Sequence, residues 1–241
     1  MDFNGKTVLI TGAGKGIGRA TARTLASRGA KIVGFSRSLE SLEGLTEETG
    51  AKCITADFSD AAEVRRAMKE AGTADYLVNC AGTNVLETVL DLSDRGLDAV
   101  LHINLRAAII CAQEFAKARV AAGGGGVILN ITSIAGHRGF DEHVAYAASK
   151  AGLEGATRVL AKELGPHGIR AVCLAPTITM TELAAVAWSD PVKSEPMMVR
   201  HPSGRFAEPE DVAKAVAMLL SDDACMVNGS VLAVDGGFLA V

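Results

Sequence analysis

Seven short runs of branched apolar residues recur along the chain. Longer stretches rich in Ala, Leu and charged residues lie between most of them. The runs are "KTVLIT" (6–11), "AKIVGFS" (30–36), "AKCITADFS" (51–59), "ADYLVNCAG" (74–82), "GGVILNITS" (125–133), "IRAVCLAP" (169–176) and "SVLAVDGG" (230–237). Near-continuous Val, Ile and Leu, without strict polar alternation, predicts strands buried on both faces, as in a parallel sheet. Helices are predicted over 16–29, closed by Gly29, and over 38–49, 105–122, 144–164 and 209–221. The four glycines at 123–126 read as a helix stop before the fifth strand. No linker or repeat divides the pattern, so residues 1–241 are expected to form one doubly wound α/β domain. The connection after the sixth strand, at about 178–206, is long for a compact domain and reads as a substrate lid.

Composition narrows the class. Hydrophobic residues make up 49% of the 241 positions, which excludes a disordered chain. The net charge is −4 and no basic run appears, so neither nucleic acid nor a membrane surface is an expected partner. The start shows no apolar leader, and no run approaches the roughly 18 apolar residues of a spanning helix. Five cysteines without paired spacing read as free, mostly buried thiols of a cytoplasmic protein. No histidine spacing suggests a metal; His102, His137, His167 and His201 are expected at the surface or as caps.

The first strand runs into "TGAGKGIG" (11–18), and a helix follows. Gly12, Gly14, Gly16 and Gly18, with Ile17, occupy the turn where a dinucleotide pyrophosphate would meet free N–H groups. The second strand ends in Ser36 and Arg37. An NAD-binding chain usually has an acid there for the ribose hydroxyls. Lys15 and Arg37 come from adjacent turns and point instead to a ribose phosphate, hence NADP(H); the alternative is two solvated cations.

"TGAGKGIG", "NCAG" (79–82), Asn104, Ser133 and "YAASK" (146–150) occur in an order that resembles the short-chain dehydrogenase/reductase family over nearly the whole chain. "PTITMT", "AWSDP", "GRFAEPEDV" and the terminal "DGGF" are most similar to its L-xylulose reductase branch. The resemblance implies a Rossmann-type sheet of seven strands with helices on both faces, hydride transfer between NADP(H) and a carbonyl or alcohol, and a homotetramer. Cys80, where most members carry asparagine, and Thr177, where many carry glycine, depart from the common pattern.

Tyr146 and Lys150, four apart, share one helix face. An isolated tyrosine titrates near pH 10, and a neighbouring ammonium favours its phenolate, making it an acid/base group. Alone, such a pair is usually a surface contact; Ser133 and Asn104 give it meaning. The resemblance implies that Tyr146 protonates the carbonyl oxygen, Lys150 also holds the nicotinamide ribose, Ser133 polarises the carbonyl and Asn104 fixes a relay water. The remaining cofactor residues expected are Asp57 and Phe58 at the adenine, Asn79, Ala81 and Gly82 beside its ribose, and Pro176, Thr177, Ile178 and Thr181 at the nicotinamide and phosphates. His143 and Trp188 are candidate substrate contacts, with packing as the alternative for Trp188.

The expected activity is reduction of a ketose or small dicarbonyl, reversible as a polyol dehydrogenase. Alternatives are another ketone, cyclic alcohol or 3-oxoacyl thioester, and a non-catalytic NADP-binding sensor or scaffold. Small residues at Ala107, Ala108, Ala112, Ala151, Gly152, Gly155 and Ala156 are expected partly at the subunit contact.

Overall fold

A computed structural model describes residues 1–241, apart from the side chains of Leu183, Val186 and Ala187. Its strands are β1 (Thr7–Thr11), β2 (Lys31–Ser36), β3 (Lys52–Thr55), β4 (Tyr76–Asn79), β5 (Gly126–Ile131), β6 (Ile169–Pro176) and β7 (Val231–Val234). All pair in parallel, in the order β3-β2-β1-β4-β5-β6-β7. The helices are α1 (Gly16–Ala26), α2 (Leu45–Thr49), α3 (Ala61–Ala71), α4 (Asp94–Leu101), α5 (Ala107–Ala121), α6 (Val144–Leu164), α7 (Glu182–Ala187), α8 (Pro191–Met198) and α9 (Pro209–Leu220). No described helix is long and apolar enough to cross a membrane.

Successive strand residues face opposite sides, so Val8 and Ile10 of β1 enter one core while Leu9 enters the other. The first core includes Leu25 of α1 and Val212, Val216 and Leu220 of α9. The second includes Val64 and Met68 of α3 and Ile110 and Phe115 of α5. Each fully buried side chain of this size contributes about 1.5–3 kcal/mol. Both faces are therefore sealed, and ligands are left the ends of the strands. Winding reverses between β1 and β4, which opens a crevice beyond their carboxyl ends.

Three expectations change. The segment 38–49 is not one helix: Gly44 at φ +74° breaks it into a short 3-10 turn, Glu40–Leu42, and α2. The helix expected over 105–122 starts earlier, at Asp94, where the Ser93 hydroxyl caps by accepting from the Gly96 N–H. It runs into α5 through a wider π-helical turn at His102–Arg106, a feature frequent at functional sites. The long connection after β6 carries two short helices, α7 and α8.

Candidate active site

At the end of β1, the Thr11 hydroxyl oxygen accepts from the N–H groups of Cys80 (3.0 Å) and Ala81 (2.9 Å), tying the glycine turn to the loop after β4. Gly12, at φ +70°, is so close to that loop that a methyl group would sit 2.9 Å from Ala81 Cα. A methyl on Gly18 would collide with the Gly12 carbonyl oxygen. Gly14 lies against the Ser41 carbonyl, and Gly16 faces the Thr181 methyl group. Ile17 turns away and packs on the core. Helix α1 is preceded by Lys15 at its N-cap, which makes no side-chain cap bond, and has no acidic residue in its first turn. Its leading N–H groups are thus free for an anion, which suits a pyrophosphate.

Lys15 and Arg37 are exposed and make no ion pair or side-chain hydrogen bond among the described residues. Their neighbours Arg19 and Arg23, by contrast, both bind Glu48 at 2.7 Å. Hydrogen bonds from Arg23, then Arg19, hold the Glu48 carboxyl down at about 2. Ser36 bonds the Ser41 hydroxyl. Asp57 accepts from the N–H and hydroxyl of Ser59, both at 2.8 Å, which lowers its carboxyl pKa; the Arg37 charge adds to this. Phe58 is buried edge-on against Phe35, so only its backbone remains for a ligand. The Asn79 amide nitrogen is also committed, donating to the Asn130 side chain (2.8 Å) and the Ala108 carbonyl (3.1 Å), and its amide oxygen is buried. Asn79 can therefore meet a cofactor by its backbone alone, whereas Gly82 is exposed at the crevice and Ala81 is half-buried there.

Lys150 is only 5% exposed; its ammonium donates to the Ile131 carbonyl at 2.9 Å and lies 5.4 Å from the Tyr146 ring centre. Ile131 ends β5, and Ser133 follows two residues later with its hydroxyl oxygen accepting from the Ala135 N–H at 3.1 Å. Asn104, buried in the π-helical turn, clamps Thr83 by accepting from its N–H (2.8 Å) and donating to its carbonyl (2.9 Å). It also donates to the Ser149 hydroxyl (3.1 Å), which in turn donates to the Tyr146 carbonyl (2.7 Å). The four residues expected to act together thus sit on α6, the π-helical turn and the loop just after β5, with Gly82 beside both Asn104 and Lys150.

Pro176 ends β6, and Thr177 is buried behind it. The Ile178 carbonyl accepts from the Ala207 N–H at 3.0 Å, and the Thr181 hydroxyl caps the start of α7 by accepting from the Ala184 N–H at 3.3 Å. Trp188 packs on Phe206 with ring centres 5.7 Å apart, so at least one face serves packing. His143 stands edge-on to Tyr146, with ring centres 5.9 Å apart, and its Nδ1 lies 2.6 Å from the Asp141 carbonyl. His201 overturns its surface assignment. It is 2% exposed, held between Phe206 and Phe238. His137 is half-exposed and pairs with the buried Glu154 carboxylate at 2.9 Å. Ala107, Ala108 and Ala112 point into the subunit and are buried, so they do not form a subunit contact.

A family model described as enoyl-(acyl carrier protein) reductase matches residues 12–239. L-xylulose reductase of Bos taurus is 41% identical over 237 residues, covering 98% of this chain and 97% of that one. The chain belongs to the short-chain dehydrogenase/reductase family. It is an oxidoreductase of that family. D-threitol dehydrogenase of Mycolicibacterium smegmatis is 39% identical over 249 residues, covering 99% of this chain and 95% of that one. A solved structure described as an NAD(P)-dependent gluconate 5-dehydrogenase from Beutenbergia cavernae, with NADP at low occupancy, superposes with a TM-score of 0.95. It is 35% identical and covers 100% of this chain and 99% of its own.

A nicotinamide dinucleotide is the cofactor of such short-chain dehydrogenase/reductases, and the crowded glycine turn with its uncapped helix fits one here. Sequence reasoning missed Thr11, Ser149 and His201. Thr11 could have been found, since a hydroxyl ending β1 before the glycine turn is placed to bind the neighbouring loop. Ser149 lies between Tyr146 and Lys150, but its role depends on the π-helical turn, which no periodicity announces. In this short-chain dehydrogenase/reductase the Cys80 thiol, which takes the place of the usual asparagine, is pushed up to about 11 by desolvation and stays protonated.

Proposed function

We propose that the protein is an NADP(H)-dependent carbonyl reductase of ketoses or small dicarbonyls, of the L-xylulose-to-xylitol type, reversible as a polyol dehydrogenase. The observation that carries this reading is the buried Lys150 ammonium beside the Tyr146 ring, 5.4 Å from its centre. A sensor that only bound the cofactor would have no need of a buried cation against a phenol. Bound in the crevice, a reduced nicotinamide supplies the hydride.

Tyr146 donates its proton to the carbonyl oxygen, and Ser133 donates a hydrogen bond to the same oxygen. Lys150 stabilises the phenolate left behind and binds the nicotinamide ribose. Asn104 has its side chain occupied by Thr83 and Ser149, so its backbone carbonyl holds the relay water. Lys15 and Arg37, neither in an ion pair or side-chain hydrogen bond among the described residues, bind the phosphate on the adenosine ribose, with Ser36 beside them. The backbones of Gly12, Gly14, Gly16, Ile17 and Gly18 line the pyrophosphate. Asp57 and Phe58 meet the adenine, and Asn79, Ala81 and Gly82 its ribose. Pro176, Thr177, Ile178 and Thr181 line the nicotinamide side. The segment 178–206 covers the substrate, with His143 and Trp188 as its side-chain contacts.

The description of the matching family model favours a second reading, reduction of an acyl thioester. A panel of ketoses, diketones, polyols and 3-oxoacyl thioesters, followed by nicotinamide absorbance, separates the two. Ketose or diketone turnover supports the first reading, and activity confined to acyl thioesters overturns it. Ile109, Val144 and Val159 are exposed on α5 and α6 beside Ala151, Gly152, Gly155 and Ala156. These surfaces support a homotetramer, and a light-scattering mass of 24.9 kDa would contradict it. Five thiols outside any disulfide suit a cytoplasmic location.

A further inference from the structure

We propose that His201 is a positioning residue that locks the lid to the nicotinamide end of the site. The evidence is its full complement of hydrogen bonds in a buried place. Its Nε2 lies 2.6 Å from the Thr177 hydroxyl, and its Nδ1 lies 2.9 Å from the Met197 carbonyl. The first partner follows β6 directly; the second belongs to α8 of the lid. With the hydrogen on Nδ1, the ring donates to the Met197 carbonyl and accepts a hydrogen bond from the Thr177 hydroxyl, so one side chain reaches both partners.

Apolar contacts fix the ring in this pose. Phe206 meets it edge-on at 5.3 Å between centres, and Phe238 lies tilted at 5.0 Å. Phe206 also carries Trp188, while Phe238 stacks on Phe140, which adjoins His143 beside Tyr146. His201 therefore sits where the lid, the chain terminus and the loop before α6 meet. An apolar residue would fill the space but would leave the Thr177 hydroxyl without this partner.

The consequence lies in the segment that Thr177 begins. The Thr179 hydroxyl donates to the Thr177 carbonyl at 2.9 Å, and Thr181 closes over Gly16 of the glycine turn. Fixing Thr177 fixes the strip of backbone across the crevice from α1, and because His201 follows α8 within one turn of Met197, the same bond ties the end of α8 to it. His201 thus couples cofactor affinity to lid position without touching either ligand. This inference rests on the reading that 177–181 borders the nicotinamide.

The test compares His201→Phe, Thr177→Val and the double variant with the parent. NADPH affinity is read by fluorescence titration, and lid position by the emission of Trp188 without any ligand. Loss of the buried bond is expected to weaken NADPH about tenfold and to shift Trp188 emission to the red in both single variants. The double variant should be no worse than either single one, because both remove the same bond. With a reducible diketone, KM should rise more than kcat falls, since Tyr146, Lys150 and Ser133 are untouched. Parent-like affinity and emission in Thr177→Val, or strictly additive losses in the double variant, would overturn the proposal. Absence of turnover on every carbonyl would refute the proposed substrate class alone, because affinity and emission need no substrate.

Discussion

Reversing the charge at Arg37 should convert cofactor preference. Arg37 follows β2 directly, is exposed and makes no side-chain hydrogen bond or ion pair among the described residues, so its guanidinium is not committed to a bonded partner. A charge-assisted hydrogen bond to a ribose phosphate is worth about 1.5 kcal/mol at the exposed end of the usual range. An aspartate in its place would add repulsion of about 1–2 kcal/mol at roughly 5 Å in a mostly aqueous dielectric, given a doubly charged phosphate. Arg37→Asp should therefore weaken NADPH by about 3 kcal/mol, roughly a hundredfold in Kd. NADH, which lacks the phosphate, should be bound as before or slightly better, since the new carboxylate can accept from its ribose hydroxyls. Fluorescence titration of both cofactors against parent and variant gives the ratio directly. In the parent, NADPH affinity should also fall more steeply with added salt than that of NADH, which lacks the ribose phosphate. A parent that bound both equally, or a variant with the parent's ratio, would refute the role given to Lys15 and Arg37.

Other consequences are accessible to simple experiments. Asn104→Ala removes three hydrogen bonds made by a buried side chain, and should cost about 2 kcal/mol in urea unfolding and lower turnover by more than about tenfold. Full stability in that variant would contradict the clamp. His143→Ala and Trp188→Ala should each reduce kcat/KM for short ketoses or diketones by about fivefold, the scale of one lost aromatic contact, with little change in NADPH affinity. Steady-state kinetics identical to the parent in both would remove them from the substrate wall. Glu48, whose carboxyl is lowered from 4.5 to about 2, contributes stability that is present above 4.5 and fades as pH falls toward about 2. The stability difference between parent and Glu48→Gln should therefore shrink between about pH 6 and about pH 3 in urea titrations, and a constant difference would contradict the pairing with Arg19 and Arg23.

The sheet was legible because its strands are buried on both faces and read as unbroken apolar runs such as "TVLIT" and "AVCLAP". Tyr146 and Lys150 were legible because spacing of four on a long helix needs no tertiary information. What stayed hidden depends on backbone irregularity or distant contacts. The π-helical turn that buries Asn104 leaves no compositional mark, and Gly44 breaks a helix-like stretch by its left-handed backbone alone. Asn79 looked like a cofactor contact from its place after β4, yet its side chain is drawn inward by Asn130, a residue 51 positions away. Ala107, Ala108 and Ala112 read as a close-approach surface, but their small size serves packing of α5 inside the subunit. His201 looked like a polar surface residue. Its Met197 contact is local, one helical turn back, but Thr177, 24 positions away, is brought to it only when the lid folds back on β6.

The most direct test of the account is turnover of Tyr146→Phe with NADPH and a short diketone, measured alongside NADPH affinity. The substitution keeps the ring beside the Lys150 ammonium and removes only the hydroxyl that donates the proton. Turnover should fall by about a thousandfold, within the range of general-acid contributions, while the NADPH Kd stays within about twofold of the parent. A variant that reduced the diketone at close to the parent's rate would contradict Tyr146 as the proton donor, and with it the mechanism built on this site.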